Sequence, residues 1–327
     1  WVMWRLDFPQ VAVIGLIAVQ TVVIGSLGFV RAHKERAQIK SIFDQYVPPA
    51  HIETMLDEPE QASMAGEKRY MTVLFADIRA FTSISESLEA SRLKAYLNQY
   101  FSPITQVIFE HHGTIDKYVG DMVMAFWNAP LKVSEHPELA VKCAMQMQYQ
   151  VEKLQEKMIA QSLPPFEIGI GLNTGDMNVG DMGSEYRRAY TVLGDAVNLG
   201  SRLEGLTKFY GVGILISEMT YRACQNITFR PIDKVKVKGK SLAVTIYEPV
   251  ALTEELSEAQ WQELKTHKQA WALYLLQHWD EALSAFTKLK QLKPNRKLYS
   301  LFCERINELS KHPPCHDWDG SYTHKSK

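Results

Sequence analysis

The sequence has few cysteines and no excess of charge of either sign. Its 327 residues include only four cysteines, Cys143, Cys224, Cys303 and Cys315, and no two of them form a CxxC pair. We therefore expect reduced thiols and no cysteine-based metal site. The 36 basic and 37 acidic residues leave a formal net charge of −1. Because no basic excess is present, the composition gives no reason to expect a nucleic-acid partner.

Long stretches without charge are also rare, and the one between Asp7 and Arg31 is exceptional. Its 23 residues are dominated by Val, Ile, Leu, Ala and Gly. As a helix they would extend about 34 Å, enough for a hydrocarbon core of ~30 Å. We predict a transmembrane helix over residues 10–30, in contact with membrane lipid, with a buried core helix or a signal peptide as alternatives. The basic residues that follow predict that the rest of the chain is cytoplasmic.

Three flanking segments have weaker patterns. Because the chain begins at Trp1 rather than Met, we expect residues 1–9 to end a missing upstream region, such as a sensor. Residues 31–69 predict a coupling helix and linker, although an ordinary amphipathic helix would have the same apolar spacing. Residues 255–327 predict a small helical appendage, in which WDEALSAF resembles half of a tetratricopeptide unit.

The central block, residues 70–250, alternates strand and helix patterns. The order strand, helix, strand, strand, helix, strand predicts an α+β domain of ferredoxin-like βαββαβ topology, with its helices on one face of the sheet. The predicted elements are Met71–Ile78, Leu88–His112, Thr114–Val119, Met122–Trp127, His136–Gln161 and Phe166–Asn173, followed by a helix at Ala196–Lys208 and a strand at Val212–Ser217.

Two acidic residues are predicted to meet at the centre of this sheet. Asp77 ends a hydrophobic strand, and Asp121 lies on the Gly120-Asp121 turn of a hairpin. Neighbouring carboxylates repel each other unless cations lie between them, and Mg²⁺ prefers oxygen ligands and often carries nucleotide phosphates. After Asp77 the chain enters a helix, whose first N–H groups favour phosphate oxygens. The pattern therefore indicates a metal–phosphate site.

A second polar cluster lies on the helix that follows TVLGD. Asp195 is a good N-cap residue for this helix, and Asn198 and Arg202 share one face because they are four residues apart. An amide and a guanidinium on one face can hold a sugar and a phosphate. A solvated polar face is the alternative for these two residues taken alone.

Taken together, these motifs resemble a known family. FADIRAFT, DKYVGDMVMAFWN and YTVLGDAVNLGSRLE, in this order, closely resemble the class III adenylate and guanylate cyclases over about Lys68–Pro249. The resemblance implies attack of a ribose 3′-oxygen on the α-phosphate of a nucleoside triphosphate, with release of pyrophosphate. It also implies a homodimer with shared active sites and two Mg²⁺ ions per site, with Mn²⁺ as a substitute.

The resemblance also implies a role for each matching residue. The implied metal ligands are Asp77, Asp121 and the Ile78 carbonyl, and the amides near Phe81 and Thr82 would bind phosphate. Asn198 would orient the ribose, Arg202 would stabilise the transition state, and Lys238 would bind phosphate. Lys117 and Thr191 match the purine-recognition positions; the subgroup with threonine there includes bicarbonate-stimulated members.

Lys117 and Thr191 favour ATP as the substrate. Lysine can donate to N1 of adenine and threonine can accept from the exocyclic amine, whereas guanine presents the opposite pattern. The expected function is therefore a membrane-anchored adenylate cyclase. A guanylate cyclase and a catalytically inactive nucleotide-binding regulatory domain remain alternatives. Diguanylate cyclases and βαββαβ RNA-binding modules share this topology, but the sequence has the characteristic motifs of neither class.

Overall fold

The computed structural model describes Val13 and residues 15–27, 66–186, 188–236, 243–315 and 317–324. The chain divides into two compact units, Trp1–Ala62 and Ser63–Lys327. Residues 1–9, most of the predicted coupling segment 31–69, and Lys238 lie outside the described residues. The predictions made for them stay predictions.

The prediction of a transmembrane helix is wrong. Within the described part of the chain, no helix is both long enough and apolar enough to cross a membrane. The predicted membrane localisation rested on that span and is corrected with it.

The unit Ser63–Lys327 contains nine described strands and eight described α-helices. The strands are β1 (Glu67–Ile78), β2 (Thr114–Val119), β3 (Met122–Trp127), β4 (Ile168–Gly183), β5 (Arg188–Leu193), β6 (Ile214–Ser217), β7 (Ile227–Lys236), β8 (Val244–Leu252) and β9 (Ser321–Thr323). The helices are α1 (Phe81–Ser87), α2 (Ala90–Glu110), α3 (His136–Ala160), α4 (Asp195–Tyr210), α5 (Glu218–Arg222), α6 (Glu258–Leu275), α7 (Trp279–Leu292) and α8 (Lys297–Lys311). Strands β2 and β3 have the predicted bounds.

The strands form one mixed sheet in the order β2-β3-β1-β4-β6-β8-β7-β9, with β5 pairing to β4 off this path. Its first four strands stand in the ferredoxin-like order, and β1 is antiparallel to both β3 and β4. The predicted α+β core is therefore confirmed. Strand β6 joins it in parallel to β4, and the sheet continues through strands that the sequence argument did not identify.

Helices α2 and α3 of the βαββαβ unit lie on one face of the sheet, as predicted, and α4, which follows that unit, covers the other face. On β1, Leu74 and Ala76 share a core with α2 and α3. The alternate residues Val73 and Phe75 face Gly200 of α4, where an added Cβ would lie 2.9 Å from Val73. The reason lies in the sequence MTVLFA, which is apolar except for Thr72 and is buried at every position. A strand that is covered on both faces has a nearly continuous run of apolar residues, whereas a strand with one exposed face alternates apolar and polar residues.

Helix α4 lies unusually close to the sheet because glycine stands beneath it. A Cβ added at Gly171 of β4 would lie 2.1 Å from the backbone nitrogen of Glu204 and 2.4 Å from the Gly200 carbonyl oxygen. No side chain fits into that space. The close packing fixes the height of α4 above β4, and with it the positions of the polar residues on α4.

The C-terminal helices pack onto the far end of the same sheet. Helices α6, α7 and α8 share a hydrophobic core with α4, β6, β7 and β8. Arg230 of β7 is 2% exposed and pairs with Glu248 of β8 and with Glu263 of α6. Because these ions are buried, removing one partner would leave uncompensated charge. The likeness of this region to a tetratricopeptide unit stays a prediction.

Candidate active site

The turn between β2 and β3 carries Asp121 to the end of β1. Val119 pairs with Met122, so Gly120 and Asp121 form a two-residue turn, and Gly120 has a left-handed φ of 65° that glycine adopts at no steric cost. Because β3 lies next to β1, Asp121 reaches the strand that ends at Asp77 and Ile78. Asp121 Oδ2 accepts a hydrogen bond of 3.0 Å from the Ile78 backbone N–H. The Asp77 and Asp121 carboxyl groups are also in hydrogen-bonding contact.

The two carboxyl groups perturb each other. Partial burial, followed by the hydrogen bond and charge of Asp121, raises the pKa of Asp77 to about 7. Like charges this close favour retention of one proton or binding of a cation. Among the described residues, no group of three or more His, Cys, Asp or Glu side chains could hold a metal ion. A pair nevertheless suits Mg²⁺, which is usually bound through one or two carboxylates together with substrate phosphates.

The predicted phosphate-binding residues begin the helix directly after β1. Phe81 and Thr82 are the first two residues of α1, and Ala80 before them has a left-handed φ of 55°. This conformation is uncommon for a residue other than glycine. It turns the chain sharply from the strand into the helix, so Phe81 and Thr82 follow Asp77 at the same end of β1.

Lys117 and Thr191, predicted as the purine-recognition pair, are in direct contact. Lys117 lies on β2, and Thr191 lies on β5, where it pairs with Gly180 of β4. Lys117 Nζ donates a hydrogen bond of 3.2 Å to Thr191 Oγ1. The Lys117 side chain is 45% exposed and Thr191 is buried. The contact therefore places a partly exposed cationic donor beside a buried hydroxyl.

Asn198 and Arg202 lie one turn apart on α4, as predicted. The helix begins at Asp195, and its N-cap is Gly194, so the predicted N-cap at Asp195 is wrong by one residue. Asn198 is exposed. Arg202 Nη1 is buried and has no hydrogen-bond partner among the described residues. An unpaired buried guanidinium N–H is costly unless something binds to it. Arg202 is therefore a candidate residue for binding an anionic ligand.

Sequence reasoning missed two acidic residues of this region. Asp116 is buried and bonds to Thr191 through its Oδ2 atom at 2.7 Å. Glu204 lies on the sheet side of α4, and burial, followed by the charges of Asp77 and Asp121, among others, raises its pKa to about 7. Glu204 could have been identified from its position one turn after Gly200, because Gly200 faces the sheet. Asp116 could have been identified because it forms a charged pair with the next residue inside an otherwise apolar strand.

The sheet order and the meeting of two carboxylates beside a helix start are typical of metal-dependent nucleotide-binding catalytic domains. Residues 64–248 match the family described as "Adenylate and Guanylate cyclase catalytic domain". Since this match covers more than half of the chain, the protein belongs to the class III nucleotidyl cyclase family. Domains of this class generally use divalent metal ions.

Individual relatives include both kinds of cyclase. The chain is 35% identical over 219 residues to adenylate cyclase 1 of Rhizobium meliloti, covering 67% of this chain and 33% of the relative. The solved adenylyl cyclase CyaB from P. aeruginosa is 38% identical, with a TM-score of 0.55, and the match covers 59% of this chain and 99% of CyaB. The guanylyl cyclase Cya2 is 35% identical, also with a TM-score of 0.55, and the match covers 59% of this chain and 97% of Cya2. The chain thus spans about a third of the Rhizobium protein.

Proposed function

We propose that the protein is an adenylate cyclase that converts ATP to 3′,5′-cyclic AMP and pyrophosphate. The observation that carries the proposal is the contact between Lys117 Nζ and Thr191 Oγ1 at 3.2 Å. A donor for N1 and an acceptor for the exocyclic amine suit the edge of adenine, and guanine would leave both mismatched. The relatives named adenylate cyclase support the same substrate.

Two divalent cations, Mg²⁺ or Mn²⁺, would be held by Asp77, Asp121 and the Ile78 carbonyl. When bound, such ions neutralise phosphate oxygens and lower the pKa of a coordinated hydroxyl. The raised pKa of Asp77 supports this assignment, because a cation between the two carboxylates would relieve their repulsion.

Other residues of the chain would bind and orient the substrate. In the reaction a bond forms between the ribose 3′-oxygen and the α-phosphorus, the bond to the pyrophosphate oxygen breaks, and the 3′-hydroxyl loses its proton. Asn198 would hold the ribose in line for this attack. Arg202 would stabilise the charge that builds up on the equatorial phosphate oxygens. The amides of Phe81 and Thr82, together with Lys238, would bind the triphosphate.

The direct test is a product assay with purified protein, ATP or GTP, and Mg²⁺ or Mn²⁺. We expect cyclic AMP and pyrophosphate, with little cyclic GMP. The double variant Lys117→Glu with Thr191→Cys reverses the donor and acceptor pattern and should shift preference toward GTP. A wild-type protein that turns over neither nucleotide, or a folded and active double variant with unchanged selectivity, would contradict the proposal.

We also propose a homodimer in which each active site is shared. Asp77 and Asp121 would come from one protomer, and Lys117, Thr191, Asn198 and Arg202 from its partner. Asp77→Ala and Asn198→Ala chains should each be inactive alone. Random mixing should give about a quarter of wild-type activity, because half of the dimers are mixed and each has one intact site. Isolated heterodimers without activity would contradict shared sites.

A further inference from the structure

Asp116 occupies an irregular position in β2. In the pairing of β2 with β3, Ile115 faces Ala125 and Lys117 faces Met124, so Asp116 is the extra residue of a β-bulge. A bulge re-aims the side chains around it. Here the Asp116 side chain is fully buried while that of its neighbour Lys117 is 45% exposed. A buried carboxylate needs partners, and those it has lie on β5 as well as on its own strand.

Three short contacts involve Asp116, and a fourth joins the two residues of the proposed purine-recognition pair to each other. Its Oδ2 atom accepts hydrogen bonds from Thr191 Oγ1 at 2.7 Å and from the Val192 backbone N–H at 3.3 Å. Its Oδ1 atom lies 3.0 Å from Lys117 Nζ, and the same Nζ donates to Thr191 Oγ1 at 3.2 Å. Asp116 therefore links β2 to β5, two strands that do not pair with each other in the sheet.

This arrangement fixes the direction of the Thr191 hydroxyl. A threonine hydroxyl has one hydrogen and two lone pairs and normally rotates to suit its neighbours. An ionised aspartate only accepts hydrogen bonds, and Lys117 only donates them. The single Thr191 hydrogen must therefore point to Asp116, and one lone pair faces Lys117. What Thr191 can offer to a ligand is its remaining lone pair.

We propose that Asp116 is a positioning residue that determines the choice of adenine, because it fixes the Thr191 hydroxyl as an acceptor and holds Lys117 beside it. The inference rests on the proposed function and deepens it. An acceptor at Thr191 suits the exocyclic amine of adenine and opposes the carbonyl oxygen of guanine. Without Asp116, the hydroxyl is free to rotate and donate to that carbonyl, so threonine alone does not select a base.

The test compares wild type with Asp116→Ala, using two readouts. The first is the affinity ratio for ATP over GTP, from displacement of a fluorescent ATP analogue, and the second is the ratio of kcat/KM for the two nucleotides. We expect both ratios to fall about tenfold, the usual effect of one hydrogen-bond preference involving a charged group. The KM for ATP should rise more than its kcat falls. In a Thr191→Val background, Asp116→Ala should change the ratios less than threefold, because no hydroxyl remains to orient.

Two further variants separate this role from a structural one. Asp116→Asn keeps the side-chain shape and the acceptor for Val192, but it places an amide N–H beside Lys117, so the ratios should fall about threefold. Asp233 is also buried and bonds to Tyr210 and Arg305; Asp233→Asn should lower stability and leave both ratios unchanged.

Ratios unchanged in both Asp116 variants, or equal losses for both nucleotides, would overturn the inference. A wild-type protein that binds both nucleotides equally would overturn it as well. If wild type prefers ATP in binding but forms no cyclic product, the proposed catalytic function fails. The binding ratios of the variants then still decide the role of Asp116.

Discussion

Cation binding at the Asp77–Asp121 pair should weaken about tenfold when the pH is lowered from 8 to 6. The pKa of Asp77 is raised to about 7 by burial and by the neighbouring Asp121 carboxyl. A cation binds the ionised form and must displace the proton. With a pKa near 7, the ionised fraction is ~0.9 at pH 8 and ~0.09 at pH 6, a ratio of about ten.

The raised pKa of Asp77 also determines whether the free energy of unfolding rises or falls with pH. Because the pKa of Asp77 is raised by folding, the folded chain binds its proton more tightly than the unfolded chain does. Without metal, the free energy of unfolding should therefore fall as the pH rises from ~4 to ~7. Mg²⁺ should restore stability above pH 7, where it replaces the lost proton. The increase in Tm caused by Mg²⁺ should be larger at pH 8 than at pH 6.

Thermal unfolding with and without MgCl₂, in the absence of nucleotide, measures this directly at pH 6, 7 and 8. Asp77→Asn should lose the Mg²⁺-dependent increase in Tm and should keep only the smaller pH slope that comes from Glu204, whose pKa burial also raises to about 7. The matched control is Asp176→Asn, which removes a carboxylate that is 57% exposed and is paired with Lys68 on the same sheet; it should behave like wild type. An equal Mg²⁺ effect at pH 6 and pH 8, or its survival in Asp77→Asn, would refute the reasoning.

Three further predictions follow from the geometry of α4 and the buried ions. Asn198→Ala and Arg202→Ala should each lower kcat by about 10²–10³ with little change in ATP affinity; equal losses in turnover and binding would count against roles in the transition state. Arg230→Met should lower the free energy of unfolding by about 3 kcal/mol in urea titrations, whereas Arg222→Met, on the surface, should cost less than ~1 kcal/mol; equal costs would contradict the burial argument. Gly171→Ala should cost about 1–3 kcal/mol and lower kcat, because α4 must move away from the sheet; an unchanged kcat would show that the height of α4 is unimportant.

Local patterns predicted the parts of the fold that depend on short stretches of sequence. The β2–β3 hairpin was predicted to the residue because Gly120-Asp121 is a strong turn signal between two apolar runs. The long helix predicted at Leu88–His112 begins instead at Ala90, after an extended Leu88 that ends α1. Helix boundaries of this kind depend on tertiary packing, which periodicity does not report.

Features that depend on distant contacts were not accessible from the sequence. The proximity of Asp77 and Asp121 could be predicted because the expected topology placed their strands side by side. The contacts of Asp116 with Thr191 and Val192 could not be predicted, since these residues lie on β5, which pairs with β4 and was not predicted as a strand.

The β2–β3 hairpin links the two kinds of recognition within one short stretch of chain. Lys117 and Asp121 are four residues apart, on the strand and on the turn of the same hairpin. In the proposed homodimer, Lys117 would contact the base in one active site and Asp121 would hold cations in the other. Any movement of the hairpin on base binding would therefore change metal binding in the second site. Because binding couplings are reciprocal, metal in one site would equally change base affinity in its neighbour.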